Sequence, residues 1–135
     1  MNWYKGNYVI SDNKDLIDVA FVHQLLSNTY WAADRTIETI QKSIENSLAF
    51  GLYNENKQIG FARVVTDTVV FSWVLDVAIL ESYRGSGLGK WLISCLLEHP
   101  DIKNTNIALA TKDAHDFYRS FQFDLSECMR RPKSS

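Results

Sequence analysis

Along the chain, short runs with an apolar period of two alternate with stretches at helical spacing. Residues 8–10 (Tyr8, Val9, Ile10) predict a strand that stops at the turn cluster Ser11-Asp12-Asn13. From Asp15 onward Leu16, Val19, Ala20 and His23 recur at helical spacing with Leu26 behind them, predicting a first helix to about Ser27. A second helix is predicted from Thr36, an N-cap residue, with Glu38 favouring the dipole in its first turn and Ile37, Ile40 and Ile44 as its buried stripe. Between the two helices, residues 28–35 carry Tyr30 and Trp31 where a surface loop is normally polar.

Residues 48–53 and 58–66 predict a hairpin turning at 54–57, and a turn at 67–68 leads into a long strand over 69–80. By the period-two rule Phe71, Trp73, Leu75, Val77 and Ile79 fall on one face of that strand, with Ser72, Val74, Asp76 and Ala78 on the other. A strand apolar on both faces is a central one, covered by helices. Next comes a turn with three glycines, then a helix with the stripe Leu88, Trp91, Leu92, Cys95 and Leu96 that stops near His99-Pro100. Residues 105–110 predict another buried strand. Asp113 is placed to cap a last helix on which Ala114, Phe117, Tyr118 and Phe121 share a face, and 122–129 predict a final strand. The order βααβββαβαβ is mixed α/β, with no repeat or linker, so one domain over residues 1–135 is expected.

Chemistry concentrates where the long strand meets the glycine turn, in Asp76-Val77-Ala78-Ile79-Leu80-Glu81-Ser82-Tyr83-Arg84-Gly85-Ser86-Gly87-Leu88-Gly89-Lys90. Glycines admit positive φ and close approach, and the first N–H groups of a helix lack internal partners at the positive end of the macrodipole. Such a turn is a cradle for phosphate. It is not a Walker loop: Gly85 and Gly89 are too close, and Trp91 follows Lys90 where a magnesium-binding hydroxyl is required. It is not a dinucleotide fingerprint either, since the spacing is Gly85-x-Gly87-x-Gly89 and the region where the ribose acid belongs reads Ile107-Ala108-Leu109-Ala110.

Arg84-x-x-Gly87-x-Gly89 after a strand resembles the Arg/Gln-x-x-Gly-x-Gly/Ala signature of the GNAT superfamily of acyl-CoA-dependent N-acyltransferases. Residues 114–123, which include Phe117, Tyr118 and Phe123, are similar to that family's Ala-x-x-Phe/Leu-Tyr-x-x-x-Gly-Phe pattern. The resemblance spans roughly residues 71–123. It implies a central, mostly antiparallel twisted sheet flanked by about four helices, with two parallel strands splaying into a V-shaped gap. It implies acetyl-CoA (coenzyme A) as cofactor, its diphosphate on the N–H groups of Gly85, Ser86, Gly87, Leu88, Gly89 and Lys90, with charge added by Arg84 and Lys90. The pantetheine arm would lie along Val77, Ala78 and Ile79, with main-chain hydrogen bonds from Val77 and Ile79. Tyr118 matches the family's Tyr near the cofactor sulfur and becomes the expected general acid. Tyr30, Trp31, Phe71 and Trp73 would shape the acceptor pocket, the other reading being that they cap the core. Two positions depart from the pattern. Thr111 stands where an Asn is common, beside the cofactor, and Gln122 replaces the Gly of a Gly-Phe pair, which puts the left-handed turn there in question because Gln is strained in that conformation.

Asp76 has two open readings: a desolvated carboxylate serving as general base, or a structural acceptor for a neighbouring loop. His23, His115 or a water are the other choices of base. With no Cys beside the thioester site, direct transfer to a primary amine of a small molecule or peptide is expected, the alternative being a silent acyl-CoA sensor of the same fold. Asp34, Glu38, Glu45 and Asp76 together would favour a cationic acceptor. A net charge of −2 argues against a nucleic-acid backbone as partner. No apolar run is long enough to span a bilayer, residues 1–5 lack a signal-peptide pattern, and the two cysteines have no metal or disulfide spacing. The expectation is a reduced, cytoplasmic protein without a metal; homodimerisation is suggested by the family alone.

Overall fold

A computed structural model describes residues 1–134. Six strands form one sheet in sequence order: β1 (Asn2–Lys5), β2 (Tyr8–Ser11), β3 (Leu48–Asn54), β4 (Lys57–Thr66), β5 (Phe71–Ile79) and β6 (Asn106–Ala108). All neighbours are antiparallel except β5 and β6, which are parallel. The four α-helices are α1 (Val19–Leu26), α2 (Ile37–Glu45), α3 (Leu88–Glu98) and α4 (His115–Arg119). This is the mixed α/β arrangement that the pattern predicts.

Side-chain alternation splits the core in two. Phe50, Leu52, Ala62 and Val64 face α3, where they meet Leu88, Leu92, Cys95 and Leu96. Ala49, Phe61 and Ala78 face the opposite way, onto Val22, Leu26, Ile40 and Ile44 of α1 and α2. Burying an aliphatic side chain of this size contributes about 1.5–3 kcal/mol, so the central strands are anchored from both sides.

The parallel pairing is short. Only Phe71↔Asn106, Ser72↔Ile107 and Trp73↔Ala108 are matched. From Val74 onward the free edge of β5 parts from the chain that leaves β6, opening the V-shaped gap.

Several elements depart from the predicted ones for identifiable reasons. β1 was not foreseen; Gly6, at φ +59°, turns it into a hairpin with β2. The first helix starts four residues later than expected because Asp18 caps it, its carboxylate accepting from Phe21 N–H at 3.0 Å, and only a 3-10 turn (Lys14–Leu16) precedes it. Thr36 caps α2 as predicted, yet Ile37 faces solvent and the buried stripe is Ile40 and Ile44. Val69 and Val70 belong to a turn, held by Asp67 Oδ1, which accepts from the N–H groups of Val69, Val70 and Phe71. Asp113 does not cap α4; the Thr111 hydroxyl accepts from Ala114 N–H at 3.1 Å instead. Residues 122–129 form no strand.

The left-handed turn after α4 survives the missing glycine. Gln122 adopts φ +68°, with its N–H donating to Arg119 O (3.0 Å) and Phe123 N–H to Tyr118 O (3.3 Å). These are the two bonds of a Schellman motif, and they outweigh the strain of a side chain in that conformation. Gln122→Gly should therefore raise unfolding stability by roughly 1 kcal/mol in a denaturant titration. An unchanged midpoint would show that Gln122 carries no such strain.

Candidate active site

The site begins with a fault in β5. The register with β4 runs Phe61↔Ala78 and then Arg63↔Leu75, so Asp76 and Val77 together oppose Ala62, a β-bulge. Asp76 sits at φ +57°, a conformation that Asp tolerates better than most residues. The extra residue shifts the alternation. Val74 before the bulge and Val77 and Ile79 after it all pack toward the α3 core, while Ala78 joins the α1–α2 side. The single-phase assignment of faces over 71–79 is thus corrected: the period of two is broken at Asp76.

Asp76 is 4% exposed and fully engaged. Its Oδ2 accepts from Arg35 Nη1 and Arg63 Nε, each at 2.6 Å, and its Oδ1 accepts from Trp31 Nε1 at 3.0 Å. These are charge-assisted contacts from two elements besides β5: Arg63 on β4, and Trp31 and Arg35 on the connection between α1 and α2. A carboxylate so held has little lone-pair capacity left to take a proton from substrate. Of the two sequence readings of Asp76, the geometry favours the structural one. Sequence reasoning missed both arginines, although Arg63 inside the apolar run Ile59-Gly60-Phe61-Ala62-Arg63-Val64 was a signal: a buried guanidinium demands a buried acid.

Beyond β5, a 3-10 turn (Glu81–Tyr83) leads to the glycines. Gly85 and Gly87 both lie at φ +87°, and a Cβ built on either would meet nothing within 4 Å, so the turn is open above them. Gly87 is the N-cap of α3 and offers no side-chain cap. Among the described residues, the N–H groups of residues 85–90 donate to no protein acceptor. The six amides therefore give an open, electropositive turn at the start of an eleven-residue helix, which fits a diphosphate. Lys90 is exposed beside it. Arg84 is directed elsewhere: its Nε donates to Ile79 O at 2.9 Å, tying the turn back to the end of β5. Because Leu80 N–H donates across to Ile59 O (2.8 Å), alternation turns the main chains of Val77 and Ile79 toward the gap.

A cavity of about 500 Å³ fills the gap. It is walled by β5 from Trp73 to Val77, by the segment 109–114, by Tyr30 and Trp31, and by Tyr118. The structure thus brings together Tyr30, Trp31, Trp73, Asp76, Val77, Thr111 and Tyr118. Asp34, Glu38 and Glu45 lie outside its wall, as does His23. His115 lines an adjoining cavity, of about 710 Å³, under the C-terminal segment. The Thr111 hydroxyl is committed to the start of α4. Tyr118 packs edge-on against Phe117 and Phe123, with ring centroids at 5.0 and 5.8 Å. Burial, with Tyr30 and Asp113 nearby, pushes its phenol above the ordinary tyrosine value. It therefore remains a proton donor throughout the neutral range.

A splayed sheet, an anion cradle at a helix start and a phenol on the wall between them define a coenzyme-dependent acyltransferase fold. Residues 45–125 match the family model described as "Acetyltransferase (GNAT) domain". The chain belongs to the GNAT acetyltransferase family. It is 33% identical over 111 residues to an uncharacterized ycf52-like N-acetyltransferase of Prochlorococcus marinus, covering 77% of this chain and 61% of that protein. It is 29% identical over 117 residues to a Gibberella zeae protein named as an acetyltransferase, covering 72% of this chain and 66% of that one. The chain thus spans about two thirds or less of the length of these relatives. A crystal structure of a Xanthomonas campestris protein assigned to the GNAT family superposes with a TM-score of 0.90 at 32% identity, covering 96% of each chain.

Two outcomes follow from the geometry. Asp76→Asn keeps the side-chain shape and tolerates the same φ, but leaves two guanidiniums facing each other. It should cost about 3–5 kcal/mol of folding stability in urea unfolding, and a loss below 1 kcal/mol would remove the cluster from its central place. Gly87→Val puts a β-branched residue at φ +87° and should weaken coenzyme A binding on the order of tenfold or more by calorimetry. Undiminished affinity would show that these amides do not hold the coenzyme.

Proposed function

We propose that this chain is an N-acetyltransferase that moves the acetyl group of acetyl-CoA directly to a primary amine, and that residues 1–135 act as one domain for this purpose. The observations that carry the reading are the unpartnered amides at residues 85–90, the edge of β5 left open beyond Trp73, and Tyr118 on the cavity wall. Acetyl-CoA, when bound, supplies an activated acyl group as a thioester.

The amides of residues 85–90 hold the diphosphate, and the main chains of Val77 and Ile79 orient the pantetheine arm along the gap. Arg84, by engaging the Ile79 carbonyl, fixes the distance between these two parts of the binding surface. A main-chain N–H at the bulge is available to polarise the acyl oxygen. Tyr118 keeps its phenolic proton at neutral pH, delivers it to the departing sulfur, and regains one from the second proton that the attacking nitrogen releases, relayed by water. Asp76 positions Trp31 and the bulge through its three hydrogen bonds, and the proton of the ammonium leaves to water in the open cavity.

Tyr118→Phe should lower kcat by roughly 10²- to 10⁴-fold while coenzyme A affinity is retained. An unchanged kcat would reject Tyr118 as the acid, and a wild-type protein that binds coenzyme A yet acetylates no amine would favour a sensor. Because the environment of Tyr118 disfavours phenolate, its ionisation should contribute no alkaline loss of kcat until the pH exceeds the ordinary tyrosine value of about 10. A loss of kcat below pH 9 that disappears in Tyr118→Phe would contradict this.

A further inference from the structure

The acceptor end of the cavity has an unexpected charge. The acidic residues that pointed to a cationic acceptor are absent from its wall or neutralised: Asp34, Glu38 and Glu45 do not line it, and Asp76 is outnumbered by its two arginines. Three cations do line it: Arg35, Lys112 and Arg130. Arg35 spends Nη1 on Asp76, and its remaining guanidinium N–H groups have no protein acceptor among the described residues. Lys112 and Arg130 have no carboxylate partner among those residues. Each rests on an aromatic face, Lys112 Nζ 4.0 Å from the Tyr30 ring centroid and the Arg130 guanidinium 5.4 Å from that of Trp73. Only Asp113 on the wall carries a negative charge without an ion-pair partner.

We propose that the acceptor is a primary amine that also carries an anionic group, a carboxylate or a phosphate, with the anion received by Lys112 and Arg130 at the mouth of the aromatic cleft. Cations parked on π-faces at exposed sites are held more weakly than by a charge-assisted hydrogen bond to an anion. They are therefore free to transfer to a ligand at small cost. Both cations line the same cavity, Lys112 resting on the Tyr30 ring and Arg130 on the Trp73 ring. An anion bridging them leaves the amine end of the molecule directed inward, toward Tyr118. Dications meet the opposite situation, since the wall repels a second positive charge. The proposal rests on the acetyltransferase reading for what happens to the amine, and on the cavity alone for the anion.

Matched pairs test it: β-alanine against β-alaninamide for the carboxylate, phosphoethanolamine against ethanolamine for the phosphate, and putrescine as the dication. Each is assayed by thiol release with acetyl-CoA, and each is also titrated against tryptophan fluorescence with coenzyme A present. At least one anionic member should exceed its neutral partner by about 10- to 100-fold in kcat/KM and in affinity, the size of a charged hydrogen bond, and the better pair tells carboxylate from phosphate. Lys112→Glu/Arg130→Glu, both at exposed positions, should abolish that preference and turn it toward putrescine. Equal or better use of the neutral or dicationic amines by the wild type would overturn the proposal, as would a preference that the double reversal leaves intact. If no amine is acetylated but anionic members still bind more tightly, the anion site stands and acetyl transfer fails. If no member of either pair binds more tightly than its partner, the anion site fails whatever the turnover.

Discussion

One buried carboxylate shared by two guanidiniums and an indole holds the working face of this protein in register. Asp76 comes from β5, Arg63 from β4, and Trp31 and Arg35 from the connection between α1 and α2. Desolvating charges in this way is a poor source of net stability. Its value is geometric, because only one arrangement of three elements satisfies every donor. The cluster fixes the place where β5 takes its extra residue, and it also fixes the aromatic pair that overlooks the cavity, since Trp31 stacks edge-on with Tyr30 at 5.0 Å.

The gap follows from the same place. A bulge bends its strand and tightens the local twist, so β5 turns away from β6 after only three matched residues. The main chain of β5 that would have paired with β6 is left to bind something else. At the far end, Arg84 clasps the Ile79 carbonyl and keeps the glycine turn next to that open edge. Cradle, edge and phenol thus form one surface because a single strand is irregular at a single residue.

Much of this was legible in the sequence, and the parts that were not share a cause. The period of two over β3 and β4, the Thr36 cap and the strand–glycine–helix passage are local signals, and each is visible in a few neighbouring residues. The bulge is not, because an Asp in an apolar strand reads equally well as a general base or as a structural acceptor until its partners, two of them more than forty residues away, are known. The α1 start at Asp18 was missed because Leu16 continues the apolar spacing on the wrong side of the cap. The final strand expected over 122–129 does not form, since Leu125 and Met129 are exposed there and the sheet ends at β6. Of the acidic residues counted toward a cationic acceptor, Asp34, Glu38 and Glu45 are off the cavity wall and Asp76 is taken up by two arginines, which no local pattern reveals. Lys112 and Arg130, which do line the cleft, lie in segments with no regular period to place them.

The uncapped first turn of α3 links occupancy to durability. A helix whose leading amides lack internal acceptors is frayed at that end unless an external anion closes it. Leu88 and Leu92, one and five residues beyond the cap, belong to the larger of the two core clusters, so fraying there loosens the interior as well. A diphosphate docked on those amides binds only the folded chain and deepens its free-energy well by mass action. Were coenzyme A the anion held there, its supply would set how long the chain resists proteases, tying the protein's lifetime to the abundance of its ligand.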